Sequence, residues 1–303
     1  MRNIGAIFVR YLCSMPELPE VETIRLGLVS KVLNKKIKRV WIESSFKNKI
    51  SPNAGKFIKL LKDEKIKDIE RKGKLLIFKI TSDDFILVHL IMTGQLVYQS
   101  SKGSLVAGGH PIQNQEVLPN KFTRVQFDFI DGSRLYFNDV RKFGYLKLVD
   151  KLEMEQAKAR YGVEPIDKDY TFEYFNKVLS KRPNQMIKVL LLEQKDISGL
   201  GNIYVDETCF AAGVKPQRRI KTLSKVERKK IFINTTKILQ KAIKYQGTSF
   251  SNYLNSEGQL GGFQKFLKVY GRVGKPCLMC ENSELRRIKI AGRTSSYCPE
   301  CQK

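Results

Sequence analysis

Residues 15–33 read MPELPEVETIRLGLVSKVL. Pro19 suits a first helical turn, and Val21, Ile24, Leu28 and Val32 recur at helical spacing, so 19–33 is expected to be a helix. The pattern then changes. LLIFKI (75–80), FILVHLI (85–91), VQFDFI (125–130) and RLYF (134–137) are short β-branched or aromatic runs bounded by Gly, Asp and Ser. DGS at 131–133 reads as a hairpin turn. One helix ahead of strands from about 37 to 149 predicts a β-sandwich or barrel with a helix at its N-terminus.

Further along, residues 99–121 are polar, rich in Gly, Gln and Asn, and read as a long loop. The charged stretch 150–160 is the candidate linker. From 172 to 246 the pattern is helical: FEYFNKVL, MIKVLLLEQ, a Gly-rich turn GLGNIY (199–204) before another helix, and a capping box of Ser224 and Glu227 opening a longer one. GTS, NSEG and GG make 247–262 a loop. The fold class is α+β, with five expected segments: an extension at 1–15, a β-sandwich domain at 16–150, a linker at 151–162, a helical domain at 163–270 and a Cys-containing finger at 271–303.

The chain has 303 residues, with 55 Lys+Arg against 30 Asp+Glu, a formal +25. A lysine-rich proteome would account for that excess. A polyanion partner would as well, because each neutralised phosphate releases condensed counterions. No run of about 18 apolar residues offers a membrane span. The apolar stretch Ile4–Val9 is short and interrupted by Arg10, which argues against a secretion signal. The extension reads either as a misplaced start, with Met15 the initiator, or as a removed targeting segment.

Cys277-Leu-Met-Cys280 and Cys298-Pro-Glu-Cys301 are two Cys-x-x-Cys knuckles separated by 17 residues. Four thiolates suit one tetrahedral Zn²⁺. With every position filled by protein the zinc would be structural; a redox dithiol is the plainer alternative. The spacer holds IKI, AGR and SSY, which read as strand, turn, strand, and the finger is basic. Cys209 reads as a small core residue, and Cys13 falls in the extension.

The Met15-Pro16-Glu17 start has its own chemistry. As a bare helix start it needs none. Yet removal of Met15 would leave Pro16 as a secondary amine. Such an amine attacking a sugar C1′ gives an obligatorily cationic iminium, an electron sink that acidifies the C2′ proton. Inside a chain, the same nitrogen is a tertiary amide and does none of this.

At this point the chain resembles the formamidopyrimidine-DNA glycosylases. MPELPEVET (15–23), RKGKLLIF (71–78), HLIMTG (89–94), NDVRKFG (138–144), GVEP (162–165), LLEQ…GLGNIYVDE (191–207) and the ribbon ending CPECQK carry the resemblance, in family order, from Met15 to Lys303. The LPEVE spelling resembles the purine-directed branch more than the endonuclease VIII branch. The resemblance implies a bifunctional glycosylase and AP lyase of base excision repair that acts on double-stranded DNA with an oxidised purine or abasic site. The implied fold includes a helix–two-turns–helix domain and a zinc ribbon. It implies Pro16 as nucleophile, Glu17 as acid, and Lys74 as a phosphate contact that assists elimination. His89, Asn202 and Arg293 complete a phosphate clamp, to which Arg141 adds a DNA contact. Met92, Arg141 and Phe143 fill the void left by a flipped base, and 247–262 is the lesion-recognition loop. Plainer readings stand beside these: Lys74 a solvated lysine, His89 a core histidine, Met92 and Phe143 core packing. Arg141 is harder to place in a core because it is always charged.

Departures from the family pattern are the extension, Lys142 where many relatives carry Arg, the length of 99–121, and His110 within it. A bacterial protein of this kind is expected to be cytoplasmic, nucleoid-associated and monomeric. Three alternatives remain: a same-family enzyme for oxidised pyrimidines, a non-catalytic DNA-binding protein with the extension retained, and a zinc-ribbon interaction protein.

Overall fold

The computed structural model describes residues 15–103, 105–109, 117–248 and 262–303, with only the backbone of 105–109. Residues 1–14 with Cys13, His110, and nearly all of the expected lesion loop (249–261) lie outside the described residues.

Helix α1 (Leu18–Val32) leads into β1 (Ile37–Ile42), β2 (Ile50–Ser51), α2 (Ala54–Leu61), β3 (Ile66–Lys72), β4 (Leu75–Ile80), β5 (Phe85–His89), β6 (Gly94–Gln99), β7 (Leu105–Gly109), β8 (Thr123–Phe129), β9 (Arg134–Asp139) and β10 (Tyr145–Val149). The strands form two five-stranded sheets, ordered β1-β8-β9-β6-β7 and β2-β10-β5-β4-β3. Alternate residues of facing strands fill the space between them: Leu76, Phe78 and Ile80 from one sheet, Val125, Phe127, Phe129 and Phe137 from the other. Each such side chain stabilises by roughly 1.5–3 kcal/mol relative to exposure. The apolar face of α1 (Val21, Ile24, Leu28, Val32) joins the same core.

LLIFKI lacks the polar alternation of a half-exposed strand because β4 is covered on both sides. Leu75 and Ile77 face away from the sandwich and meet Met154. Met154 belongs to α3 (Lys151–Lys158), which occupies the stretch read as a linker. Asp150 caps this helix, accepting from Glu153 N–H at 2.8 Å, so its charges line a capped helix's outer face. The long polar loop holds a further surprise in β7, which pairs antiparallel with β6. An edge strand is held by its backbone ladder and needs no apolar side chains, which is why composition concealed it.

The second half is helical: α4 (Phe172–Ser180), α5 (Ile187–Leu192), α6 (Asn202–Ala212) and α7 (Lys225–Lys244). They share a core built on Phe175, Leu191, Tyr204 and Leu239. The Ser224–Glu227 capping box is formed in both directions, at 2.7 and 3.2 Å. The chain closes with the hairpin β11 (Arg286–Ile290) and β12 (Arg293–Tyr297). Gln302 pins it to the end of α6, donating to Val214 O at 2.7 Å and accepting from Cys298 N–H at 2.8 Å.

Candidate active site

The glycine-rich turn before α6 is shaped around residues 17 and 18. Gly199 has φ +94 and lies so close to Leu18 that an added Cβ would come within 2.4 Å of its side chain. Its carbonyl accepts Leu18 N–H at 2.9 Å. At Gly201 a Cβ would sit 2.3 Å from the Glu17 carboxyl carbon. With no side chain in the way, the Glu17 carboxyl enters the N-terminus of α6. It accepts from Gly201 N–H at 2.5 Å, Ile203 N–H at 2.9 Å and Tyr204 N–H at 3.4 Å. The anion-binding end of α6 is therefore occupied by the protein's own carboxyl group.

Pro16 and Glu17 are buried. Burial pushes the Glu17 carboxyl up to about 7, against the Lys74 charge and the amides of Ile203 and Gly201, with Glu20 adding to the rise. Lys74 lies in the turn just before β4 and is 7% exposed; burial lowers its ammonium, Glu17 offsets this and Arg293 reinforces it. Pro16, Glu17, Lys74 and Arg293 thus gather at the junction of α1, β4, α6 and the ribbon.

Glu20 accepts from Glu17 N–H at 3.0 Å, Tyr204 O–H at 2.6 Å and Thr248 N–H at 2.7 Å. It therefore does more than meet the positive end of α1, and its burial raises its pKa. Glu22 pairs with Arg71 at 2.8 Å, and Arg71 reaches Glu164 at 2.8 Å. Glu164 also takes Gly73 N–H at 2.6 Å, clasping the turn that presents Lys74 to the helical half.

His89 closes β5, directly opposite Leu75 and Tyr145. Its Nδ1 accepts Ile91 N–H at 3.0 Å. Burial, helped by Lys74, lowers its pKa to about 4, so the ring is neutral near pH 7. A neutral imidazole accepting at Nδ1 carries its proton on Nε2, and it faces any ligand as a donor.

Asn202 is held from two sides. Its Oδ1 accepts from Lys188 Nζ at 2.6 Å and its Nδ2 donates to Thr294 O at 2.8 Å. Lys188 is fully buried against Asp206 at 2.7 Å. Asp206 in turn accepts Ser295 O–H at 2.9 Å and Ser296 N–H at 2.8 Å, locking the ribbon to α6 beside Arg293.

Met92, Arg141 and Phe143 come together on two loops. The Arg141 guanidinium lies 4.6 Å from the Phe143 ring centroid, and its Nη1 donates to Met92 Sδ at 3.3 Å. Phe143 is 44% exposed, so it is not core packing. Ile91 and Lys142 both adopt φ +56, a left-handed backbone that is strained for a β-branched residue such as Ile91. Buried Asp139 braces the second loop, accepting from Gly144 N–H at 2.8 Å and Arg141 N–H at 3.1 Å, and from the Thr93 hydroxyl.

The four Cys277, Cys280, Cys298 and Cys301 thiols lie within 4.8 Å of one another, with two Sγ–Sγ separations of 3.7 Å. Tetrahedral thiolates at about 2.3 Å from a zinc ion would be about 3.8 Å apart, so the cluster fits one metal ion.

The reading of the sequence assigned no role in the site to Glu20, Asp139, Lys188 or Glu164. Lys188 alone left a local signal, a charge inside the apolar run IKVLLL. The others depend on partners distant in the chain.

Residues 15–146 match the formamidopyrimidine-DNA glycosylase N-terminal domain, and residues 161–253 match the formamidopyrimidine-DNA glycosylase H2TH domain. The formamidopyrimidine-DNA glycosylase of Oceanobacillus iheyensis is 40% identical over 291 residues, covering 95% of this chain and 98% of that protein. That of Shouchella clausii is 39% identical over 292 residues, covering 95% and 99%. The structure of Lactococcus lactis Fpg in complex with DNA containing an abasic site superposes with a TM-score of 0.83 at 32% identity, covering 95% of this chain and 99% of that one. The same enzyme with DNA containing Fapy-dG gives a TM-score of 0.82 at 32% identity, covering 95% and 100%. The chain belongs to the formamidopyrimidine-DNA glycosylase family, the DNA glycosylase/AP lyases of base excision repair.

Proposed function

We propose that this enzyme excises oxidised purines, 8-oxoguanine and formamidopyrimidines, from double-stranded DNA, and then cleaves the strand by β,δ-elimination through a Schiff base at Pro16. The observation that carries the reading is the Glu17 carboxyl, buried beside Pro16 at the mouth of α6 and raised to about 7. Near neutral pH such a group both gives and takes protons.

The amine of Pro16 is free only when residues 1–15 are gone, and the family match beginning at residue 15 supports that terminus. Its lone pair attacks C1′, and the damaged base leaves with the proton that the amine sheds. Glu17 protonates the ring oxygen as the C1′–O4′ bond opens, leaving a C1′ iminium. Loss of the C2′ proton expels the 3′ phosphate, and a second elimination expels the 5′ phosphate. Water then releases Pro16 from the sugar remnant. Lys74 and Arg293 place positive charge at the lesion phosphates, and neutral His89 and Asn202 add donors. Met92, Arg141 and Phe143 enter the stack where the base was extruded, offsetting the cost of unstacking. Arg141 faces the orphaned partner base.

Cys277, Cys280, Cys298 and Cys301 hold one structural Zn²⁺. It supplies cross-linking that a hairpin of this length lacks in its own core. The L. lactis complexes with abasic-site and Fapy-dG DNA support lesion-containing duplex as the partner. No helix among the described residues is long and apolar enough to cross a membrane. We place the protein in the bacterial cytoplasm, acting as a monomer.

Borohydride reduction tests the reading. Protein beginning at Pro16 should form a covalent adduct with 8-oxoguanine duplex that maps to Pro16, and protein retaining residues 1–15 should form none. An adduct at Lys74 would refute the assignment.

A further inference from the structure

On the far side of the sandwich, β1, α2 and the β8–β9 turn enclose an open groove of about 680 Å³. Lys38 and Arg39 line it from β1, Lys59 from α2, Lys62 from the residue just after that helix, and Arg134 from β9. One carboxylate faces them, Asp128, and it is already committed. It binds Arg39 at 2.7 Å and Arg134 at 3.4 Å, and Gln126 donates to it at 2.6 Å. None of the described ion pairs uses Lys38, Lys59 or Lys62.

The groove is also apolar at its base. Val40 and Phe129 lie beneath it, buried in the core, and Ile58, one helical turn before Lys62, stands 37% exposed among the cations. The β8–β9 turn lies at the opposite end of β9 from the loop that carries Arg141 and Phe143. The strand between, Arg134–Asp139, spans about 17 Å. An occupant of the groove would leave the void-filling loop free.

We propose that this groove docks an acidic segment of another protein that carries an aromatic or aliphatic anchor residue. Carboxylates of the segment pair with Lys38, Lys59 and Lys62, and the anchor lies on Ile58. Charge complementarity selects an anion, and the apolar base selects a peptide over a phosphodiester backbone, which has nothing to place on Ile58. The groove would tether the enzyme to a partner while its other face holds DNA. The proposal stands independently of the catalytic assignment.

The test is fluorescence anisotropy with a labelled peptide of Asp and Glu bearing two central Phe residues. Its control is the same peptide with Ala for Phe. The Phe peptide should bind about tenfold more tightly than the Ala peptide. The Lys59→Glu/Lys62→Glu variant should lose Phe-peptide binding about tenfold while keeping lesion-duplex affinity. Ile58→Ser should erase the Phe preference and leave the weaker charge-driven binding in place. Equal binding of the two peptides, unchanged binding by the double variant, or displacement of the peptide by oligothymidylate would each overturn the proposal.

Discussion

Glu17 and Gly201, 184 residues apart in the chain, are joined by a 2.5 Å hydrogen bond from the glycine N–H to the glutamate Oε2. The bond runs from the helical half to the chain position beside Pro16. It makes the site a joint product of both halves. A carboxyl placed there is desolvated, yet supplied with backbone donors at a helix N-terminus.

Glu17 should impose a pH limb on base excision. Its pKa in the fold stands above the ordinary 4.5, at about 7, because burial disfavours the charge more than Lys74 and the amides favour it. The protonated acid therefore persists to about pH 7 and is lost as pH rises through it. Single-turnover excision of 8-oxoguanine should fall about tenfold per pH unit above that value. Glu17→Gln should be slower by roughly 10²–10⁴ and flat across the same range. A wild-type profile flat from pH 6 to 9 would contradict the assignment.

Gly201→Ala should displace Glu17. The new Cβ would meet the carboxyl at 2.3–2.5 Å, and the backbone two residues earlier, at Gly199, is held against Leu18. Overpacking of this kind costs about 1–3 kcal/mol. Thermal unfolding should register that loss, and excision should drop about 100-fold while metal content is unchanged. Wild-type excision rates would show that the close approach has no catalytic consequence.

Phe143→Ala and Arg141→Ala should leave stability within about 0.5 kcal/mol of wild type, because both side chains lie at the surface. Binding to 8-oxoguanine duplex should weaken, with a smaller loss on a preformed abasic site, where no base remains to be extruded. Arg141→Ala should also blunt preference for the base opposite the lesion. Titrations on lesion, abasic and intact duplexes check this; equal losses on all three would mean the residues only hold the loops.

Cys280→Ser should lose zinc and DNA affinity together. Without the metal, the hairpin that delivers Arg293, and that Asp206 grips through Ser295 and Ser296, has little core of its own. Atomic absorption paired with duplex titration reads both. Retained zinc at full stoichiometry would remove the four-thiolate site.

Most of the element types and the thiol cluster are legible in the chain itself. Apolar periodicity placed α1 and β4, the Ser224–Glu227 box opened α7, and the two Cys-x-x-Cys knuckles marked the thiol cluster, because each of these signals is local. The sequence also marked the 199–202 turn, since glycines in a helix approach announce a close neighbour without naming it. Which residue that neighbour is depends on contacts between distant parts of the chain. Nothing near Glu17 in the chain announces Gly201 and Ile203, and Glu20 is a first-turn acid of α1 until Tyr204 and Thr248 are set against it. Likewise β7 is invisible in a polar stretch because a backbone ladder holds it. Burial, field and hydrogen-bond partners are properties of residues distant in the chain. A shift such as that of Glu17 to about 7 therefore exists only once the two halves close on each other.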